Sequence, residues 1–403
     1  MKFKLSLLLI IAILFAGCKS KDGLISHNDY SLMSIIEQKS EMLADTALSK
    51  NSEAFTAYTD TQGKWKIKND RVWTSGFVAG NFWYLYALTN NKKWKEDALL
   101  WTEGNRSRAV ATDNDTGFQI FNSFGLGYTI GNNTTQDYKD VLLTGAKTFV
   151  NQRYNKDIGC FRSWDQNRNE PYSLPFEVNI DELMNMELVL WAGYNSDNKE
   201  YIDYAVNHAD NTWLNNMRDN GSSFHVVDYN LDGSVKLKRT HQGWKDSSTW
   251  SRGQSWAVYA YAMFYRYTGL DRMLERSIKA LDYFIEATEK QTDDFIPYSD
   301  FDAPLNNLNP RDTSAAAVVA SASLELYHLT SDEKYLTIAE NILVSLSSDK
   351  FLSRDTSYDS ILLKGSEKWG KPEVGTIFGD YYFIEALYRW NKWSPKKLPN
   401  YDK

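Results

Sequence analysis

Apolar residues along this chain gather into two kinds of helical segment that alternate. Six stretches, 75–88, 116–130, 182–192, 255–267, 314–329 and 381–390, are apolar around most of the helical circumference. Between them run more polar stretches, 92–103, 137–151, 199–217, 272–289 and 333–347, whose apolar positions recur with helical spacing. A helix that is apolar on all sides has to be enclosed by protein, whereas an amphipathic one keeps a face in water. The alternation therefore predicts an inner ring of helices wrapped by an outer one. The joints agree: Tyr86 to Trp94, Tyr267 to Met273 and Leu329 to Tyr335 each end one helix and cap the next with Asn or Asp. Irregular spacing excludes a short-period solenoid, whose units of about 20–50 residues recur regularly. No linker rich in Pro, Gly or Ser divides the chain, so residues 31–403 are expected to form one domain, an all-α (α/α)6 barrel. One interruption breaks the helical pattern. Phe224-His225-Val226-Val227-Asp228-Tyr229 and Ser234-Val235-Lys236-Leu237 alternate around the turn Asn230-Leu231-Asp232-Gly233, which predicts a small β-hairpin flap at the barrel mouth.

The first residues follow a different rule. Lys2 and Lys4 precede an apolar run from Leu5 to Phe15, short for a membrane span of about 20 residues. Phe15-Ala16-Gly17-Cys18 resembles the lipobox of bacterial lipoproteins. Residues 1–17 are therefore expected to be a lipoprotein signal peptide, Cys18 the lipidated first residue, and 18–30 a tether. That describes a membrane-anchored protein of the periplasm or cell surface. Cys160 is the one other cysteine, so no intramolecular disulfide is expected.

Composition narrows the chemistry. A net charge of −7 argues against nucleic acid, which wants a basic face. Five histidines without a His-x-His, His-Glu-x-x-His or cysteine cluster offer no ligand set for a catalytic metal. There is no Gly-x-Ser-x-Gly elbow. Gly125-Leu-Gly-Tyr-Thr-Ile-Gly131 has the wrong spacing for a dinucleotide loop, and its small residues suit close helix packing. Aromatic residues make up 14% of the chain. Most must be core, but Trp73, Trp250 and Trp256 are flanked by polar residues and are candidates for stacking on a ligand.

Two acidic tracts carry the strongest chemical signal. Asn114-Asp115-Thr116-Gly117-Phe118 and Asn179-Ile180-Asp181-Glu182-Leu183-Met184-Asn185 each place an Asp where an apolar helix is about to start. Such a carboxylate either caps the helix or does chemistry. Paired aspartates in an aromatic-rich cavity are what general acid/base work on a sugar needs. A third tract, His241-Gln242-Gly243-Trp244 through Arg252-Gly253-Gln254-Ser255-Trp256, interleaves donors with aromatic rings ahead of a helix. It is either a capped surface loop or a lip that orients a polar ligand, with Arg252 placed for bidentate carboxylate recognition.

Taken in order, Trp73-Thr-Ser-Gly-Phe77, Asn114-Asp-Thr-Gly-Phe118, Ile180-Asp-Glu-Leu-Met-Asn185, the Gln242 to Trp256 tract and Gly379-Asp-Tyr-Tyr-Phe-Ile-Glu-Ala386 resemble glycoside hydrolase family 88, the unsaturated glucuronyl hydrolases. The resemblance runs from about Trp73 to Trp390. It implies an (α/α)6 barrel that removes a 4,5-unsaturated uronic acid from the non-reducing end of lyase-generated oligosaccharides by hydrating the enol ether, without metal, organic cofactor or protein partner. It implies Asp181 as general acid/base and Asp115 as its partner carboxylate. It further implies Trp73 and Trp256 stacked on the sugar, with His225, Gln242 and Arg252 as donors around its hydroxyls and carboxylate. Some members bind sulfate through a Ser-x-x-Ser-x-Lys element; here Ser357-Tyr-Asp-Ser360 is followed by Lys364, which departs from that spacing. A family 105 unsaturated rhamnogalacturonyl hydrolase and a non-catalytic glycan-binding lipoprotein are the alternative readings.

The anchor is tested directly. Cys18→Ser is expected to release a soluble or unprocessed form, because lipidation requires the thiol. Membrane fractionation that finds both proteins equally membrane-bound would reject it.

Overall fold

The structure, a computed structural model, describes residues 31–48, 55–165, 176–355 and 357–398. The predicted signal peptide, Cys18 and the tether lie outside the described residues. By their contacts the residues from Ser31 onward form one compact unit.

Among the described residues six inner helical segments and six outer ones alternate, and the apolar pattern predicts all but the first outer one. The inner members are α2 (Ser75–Thr89), α4 (Thr116–Ile120), which runs through a π turn at Phe121–Gly125 into α5 (Leu126–Thr129), α7 (Glu182–Asn195), α9 (Ser251–Thr268), α11 (Thr313–Thr330) and α13 (Ile377–Trp393). The outer members are α3 (Lys92–Gly104), α6 (Gln136–Arg153), α8 (Glu200–Asn216), α10 (Asp271–Gln291) and α12 (Glu333–Leu346), with α1 (Leu32–Leu48) as the sixth. Helix α1 was not legible in the periodicity. It joins the outer layer by accepting the Trp94 indole N–H on Glu37 and by sending the Lys39 ammonium to the carbonyls of Asp355 and Tyr358.

Burial explains the two compositions. Helix α11 is buried from Thr313 to Leu326, and Ala315, Ala316, Ala317, Ala320 and Ala322 keep its neighbours α9 and α13 close. Outer helix α10 instead buries one stripe, including Met273, Ser277, Ala280, Leu281 and Phe284. Two joints cap as expected: Asn91 Oδ1 accepts from Lys93 N, and Asp332 Oδ1 from Lys334 N. The third works differently, since Gly269 turns the chain in the left-handed region (φ +64°) and Asp271 is simply the first residue of α10.

The predicted flap is present as β6 (Val226–Tyr229) and β7 (Val235–Arg239), and a third strand that the sequence pattern did not announce, β5 (Phe176–Asn179), pairs with β6. Two further hairpins, β1 (Phe55–Thr59) with β2 (Trp65–Lys68) and β3 (Tyr154–Asn155) with β4 (Cys160–Phe161), were also unannounced. Strand β5 matters most, because it delivers the chain to Asp181 at the start of α7. No described helix is long and apolar enough to cross a membrane.

Candidate active site

The N-terminal ends of the inner helices meet at one mouth. A cavity of about 240 Å³ there is lined by Tyr58, Trp73, Asn114, Asp115, Phe118, Trp164, Asn179, Asp181, His241, Gln242, Arg252, Glu367 and Lys368. Trp73 precedes α2, Asp181 precedes α7 and Arg252 lies in the first turn of α9. Helix N-termini carry partial positive charge, so this end of the barrel favours an anionic guest.

Whether Asp181 caps α7 is decided by its neighbours. The cap of α7 is supplied by Asn179, whose Oδ1 accepts from Glu182 N at 3.0 Å and from the Ser163 hydroxyl at 3.0 Å. Asp181 makes no side-chain cap bond. Its Oδ2 is buried without a hydrogen-bond partner, 3.5 Å from His225 Nε2. The backbone fixes that approach, because Ile180 N donates to His225 O at 2.9 Å. His225 Nδ1 faces the N–H groups of His241 and Gln242, each at 3.2 Å, so it must accept. The ring proton therefore sits on Nε2, the nitrogen that faces Asp181. Trp250 packs on the imidazole with ring centres 4.6 Å apart and holds its orientation.

Asp115 likewise makes no side-chain cap bond at the start of α4. Asp113 ties that turn instead, accepting from Asp115 N at 3.2 Å on Oδ1 and pairing with Arg108 at 2.9 Å. Asn185 Oδ1 then takes the Phe118 N–H at 2.9 Å and pins α4 to α7. Gly117 permits the approach: a Cβ there would lie 2.4 Å from Asn185 Cα.

Comparison with known proteins points the same way as this geometry. The chain is 39% identical over 329 residues, 79% of each sequence, to the unsaturated glucuronyl hydrolase of Formosa agariphila. It belongs to the unsaturated glucuronyl hydrolases. A second relative is that of Bacillus sp. GL1, at 28% identity over 85% of this chain and 92% of the relative. Among solved structures, an unsaturated glucuronyl hydrolase specific for heparin matches with a TM-score of 0.83 and 32% identity, covering 91% of this chain and 98% of the other. No family model matches the chain. The (α/α)6 architecture is thus that of the glucuronyl hydrolases, glycoside hydrolase family 88.

Against that frame of an unsaturated glucuronyl hydrolase, the residues singled out from the sequence divide. Asp115, Asp181, Trp73, Gln242 and Arg252 line the cavity. His225 does not line it and reaches it through Asp181. Trp256 is corrected: it has no exposed surface, lies under Phe118 at 5.7 Å between ring centres, and is absent from the wall, because its place in α9 is below the first turn. The aromatic walls are Tyr58, Trp73, Phe118 and Trp164 instead; burial pushes the Tyr58 hydroxyl up to about 12 and keeps it a neutral donor. Arg252 is not the open fork expected of it. Only 1% exposed, it pairs with Asp312 at 2.8 Å, donates to the carbonyls of Ser366 and Glu367, and is sandwiched by Trp250 and Phe378.

Ser360 and Lys364 are a second correction. Ser360 is fully buried with its hydroxyl bonded to Leu362 O, and the Lys364 ammonium lies over the Phe351 ring, so neither reaches the cavity. Lys368 is a second cation at the wall, beside Arg252. Its signal was readable: Ser366-Glu367-Lys368 has the serine-to-lysine spacing that Ser360 and Lys364 lack. Asn179 was also missed, although Asn-x-Asp before an apolar helix leaves two candidate caps. Trp164, which sits outside every periodic segment, gave no signal.

The Asn179 cap generates a prediction. Asn179→Ala should cost about 1 kcal/mol of stability, the usual worth of a cap. It should also lower kcat, since Asp181 becomes the nearest replacement cap. Thermal denaturation together with steady-state rates checks both, and an unchanged kcat would detach the cap from catalysis.

Proposed function

We propose that this unsaturated glucuronyl hydrolase cleaves a terminal 4,5-unsaturated uronic acid from oligosaccharides of glycosaminoglycan type. One observation carries the reading: Asp181, released from capping, sits in the same cavity as Asp115 with the His225 N–H aimed at its carboxylate. Asp181 gives its proton to C4 of the enol ether while water adds at C5 and returns a proton to Asp181. The C5 hemiketal opens, the group left at C1 is a hemiacetal, and its collapse releases the aglycone alcohol. The atoms balance with one water consumed.

The other residues then have distinct jobs. Asp115 holds the sugar hydroxyls, Trp73 offers a ring face to the uronide, and Gln242 orients it from the lip. His225 sets the position of Asp181. The sugar carboxylate is drawn by the helix N-termini, by the Arg252 edge and by Lys368. The glycosaminoglycan assignment is supported by the heparin specificity of the structural neighbour and by a Streptococcus pneumoniae relative named unsaturated chondroitin disaccharide hydrolase, 29% identical over 81% of this chain. Lys368 is the residue for a sulfate on the adjoining sugar. The resemblance of Phe15-Ala16-Gly17-Cys18 to a lipobox supports a tethered enzyme that meets its oligosaccharides outside the cytoplasm.

Two experiments test this function. Asp181→Asn keeps the shape but cannot donate and recover a proton, so turnover should fall by at least the ~10²–10⁴-fold of general acid/base catalysis. The readout is loss of the ultraviolet absorbance of the unsaturated uronide, and near-normal activity would remove Asp181 from its role. Second, the enzyme should cleave an unsaturated disaccharide and spare its saturated counterpart, because only the enol ether has a carbon that Asp181 can protonate. In heavy-oxygen water the label should enter the released uronate at C5. Label confined to the anomeric carbon, or equal cleavage of the saturated sugar, would mean ordinary displacement at C1.

A further inference from the structure

A further cavity lies at the end of the barrel opposite the candidate active site. It measures about 290 Å³ and opens among the last turns of α5, α9 and α13, where Thr129, Tyr267, Tyr388 and Lys392 stand. None of its lining residues borders the first cavity. Aromatic packing separates the two. Trp256 lies under Phe118 at 5.7 Å between ring centres, Tyr382 follows at 5.4 Å, and Tyr259, a wall residue of the far cavity, lies 5.4 Å beyond. The hydration scheme uses nothing at this end of the molecule.

Two independent features mark a built site. The inner segment that runs from α4 into α5 is interrupted by the π turn at Phe121–Gly125, and that turn supplies Phe121 and Asn122 to the wall. A π turn departs from regular helical hydrogen bonding and recurs at functional sites. Asn122 is 8% exposed, and its Nδ2 has no hydrogen-bond partner among the described residues. A buried donor left unpaired is costly, and an acceptor on a guest removes that cost.

The charged groups here are matched with one another. Arg266 pairs with Glu187 at 2.8 Å and with Glu325. Arg389 pairs with Glu325 at 2.7 Å and with Glu385 at 3.2 Å. Glu385 also accepts from the hydroxyls of Tyr84 at 2.6 Å, Tyr259 at 2.9 Å and Ser321 at 2.8 Å. Both guanidinium groups are thus committed, and helix C-termini carry partial negative charge, so a uronate is not favoured at this end. Each carboxylate is likewise engaged by an arginine, which leaves little for a cation. Lys392 stands exposed at the rim, over the Tyr388 ring at 5.6 Å, where solvent screens it. A guest is offered the ring surfaces of Phe121 and Tyr388, the Asn122 amide and the tyrosine oxygens. Apolar faces with hydrogen-bonding groups and balanced charge complement an uncharged sugar ring. The volume is at the lower end for small-ligand pockets and suits one ring.

We propose that this far cavity binds a single uncharged pyranose, an N-acetylhexosamine whose acetamide carbonyl accepts from Asn122 Nδ2. It is a binding site without chemistry, because Glu385, the buried carboxylate at its wall, is held by three hydroxyls and an arginine. The proposal goes beyond the hydration reading and does not depend on it.

The test is a ligand-observed NMR titration of the full chain with N-acetylglucosamine and with glucuronate, with melting curves to verify folding. The wild type should bind N-acetylglucosamine with a Kd in the millimolar range, as expected of so small a ligand. Asn122→Ala should weaken that binding about fivefold, the worth of one uncharged hydrogen bond. Thr129→Trp, at an exposed position on the rim, should abolish it by filling the entrance, and this variant decides the matter if Asn122→Ala fails to fold. Glucuronate should show no binding that Thr129→Trp removes. A wild type that does not bind N-acetylglucosamine would overturn the proposal. An affinity unchanged in either folded variant would do the same by placing the sugar elsewhere, and so would glucuronate binding that Thr129→Trp removes.

Discussion

The hydrogen bond from Glu182 N to Asn179 Oδ1 closes the first turn of α7, and in doing so it frees Asp181. A helix start leaves several N–H groups without partners, and a short acidic side chain nearby is normally drawn in to satisfy them. With Asn179 in that role, the Asp181 carboxylate faces His225 and the cavity. Strand β5 makes the arrangement possible. It pairs with β6, which brings His225 beside Ile180, and it ends on the residue that does the capping. The flap is thus part of the frame that holds Asp181 at the cavity.

The same economy recurs around the mouth. At α4, Asp113 ties the turn while Asp115 stays with the cavity. At α11, Asp312 Oδ1 caps Ser314 N while its Oδ2 holds Arg252. Each inner helix needs polar side chains at its N-terminus, and the toroid gathers those termini in one place. Polar chemistry and partial positive charge are therefore concentrated there by the architecture itself.

Arg252 and Lys368 show how a charge is divided between frame and ligand. An arginine buried with Asp312 and two carbonyls is costly to disturb, because removing one partner strands the other charge without water. Arg252 consequently anchors the 366–368 segment, and that segment carries Lys368 to the wall. The half-buried lysine can follow a guest; the buried arginine cannot. The net charge of −7 does not oppose an anionic substrate, since the local field at the mouth is set by these cations and the helix ends.

The sequence by itself determined the barrel. Apolar and amphipathic helices alternate because an inner ring must be enclosed and an outer ring must meet water, and that constraint is written into every turn from Ser75 to Trp390. It also marked Asp115, Asp181, Trp73, Gln242 and Arg252, because helix starts and polar-flanked aromatics are local patterns. Helix α1, strand β5 and the aromatic wall at Trp164 were not legible, since each is defined by contacts with distant segments. Only the tertiary structure decided which side chains face the cavity. Trp256 and Trp73 look alike in sequence, yet one lies beneath Phe118 and the other borders the open mouth. Ser360 and Lys364 gave way to Lys368 for the same reason: direction at a barrel mouth is set by which loop a residue's backbone is bonded to, and those bonds join residues far apart in the chain.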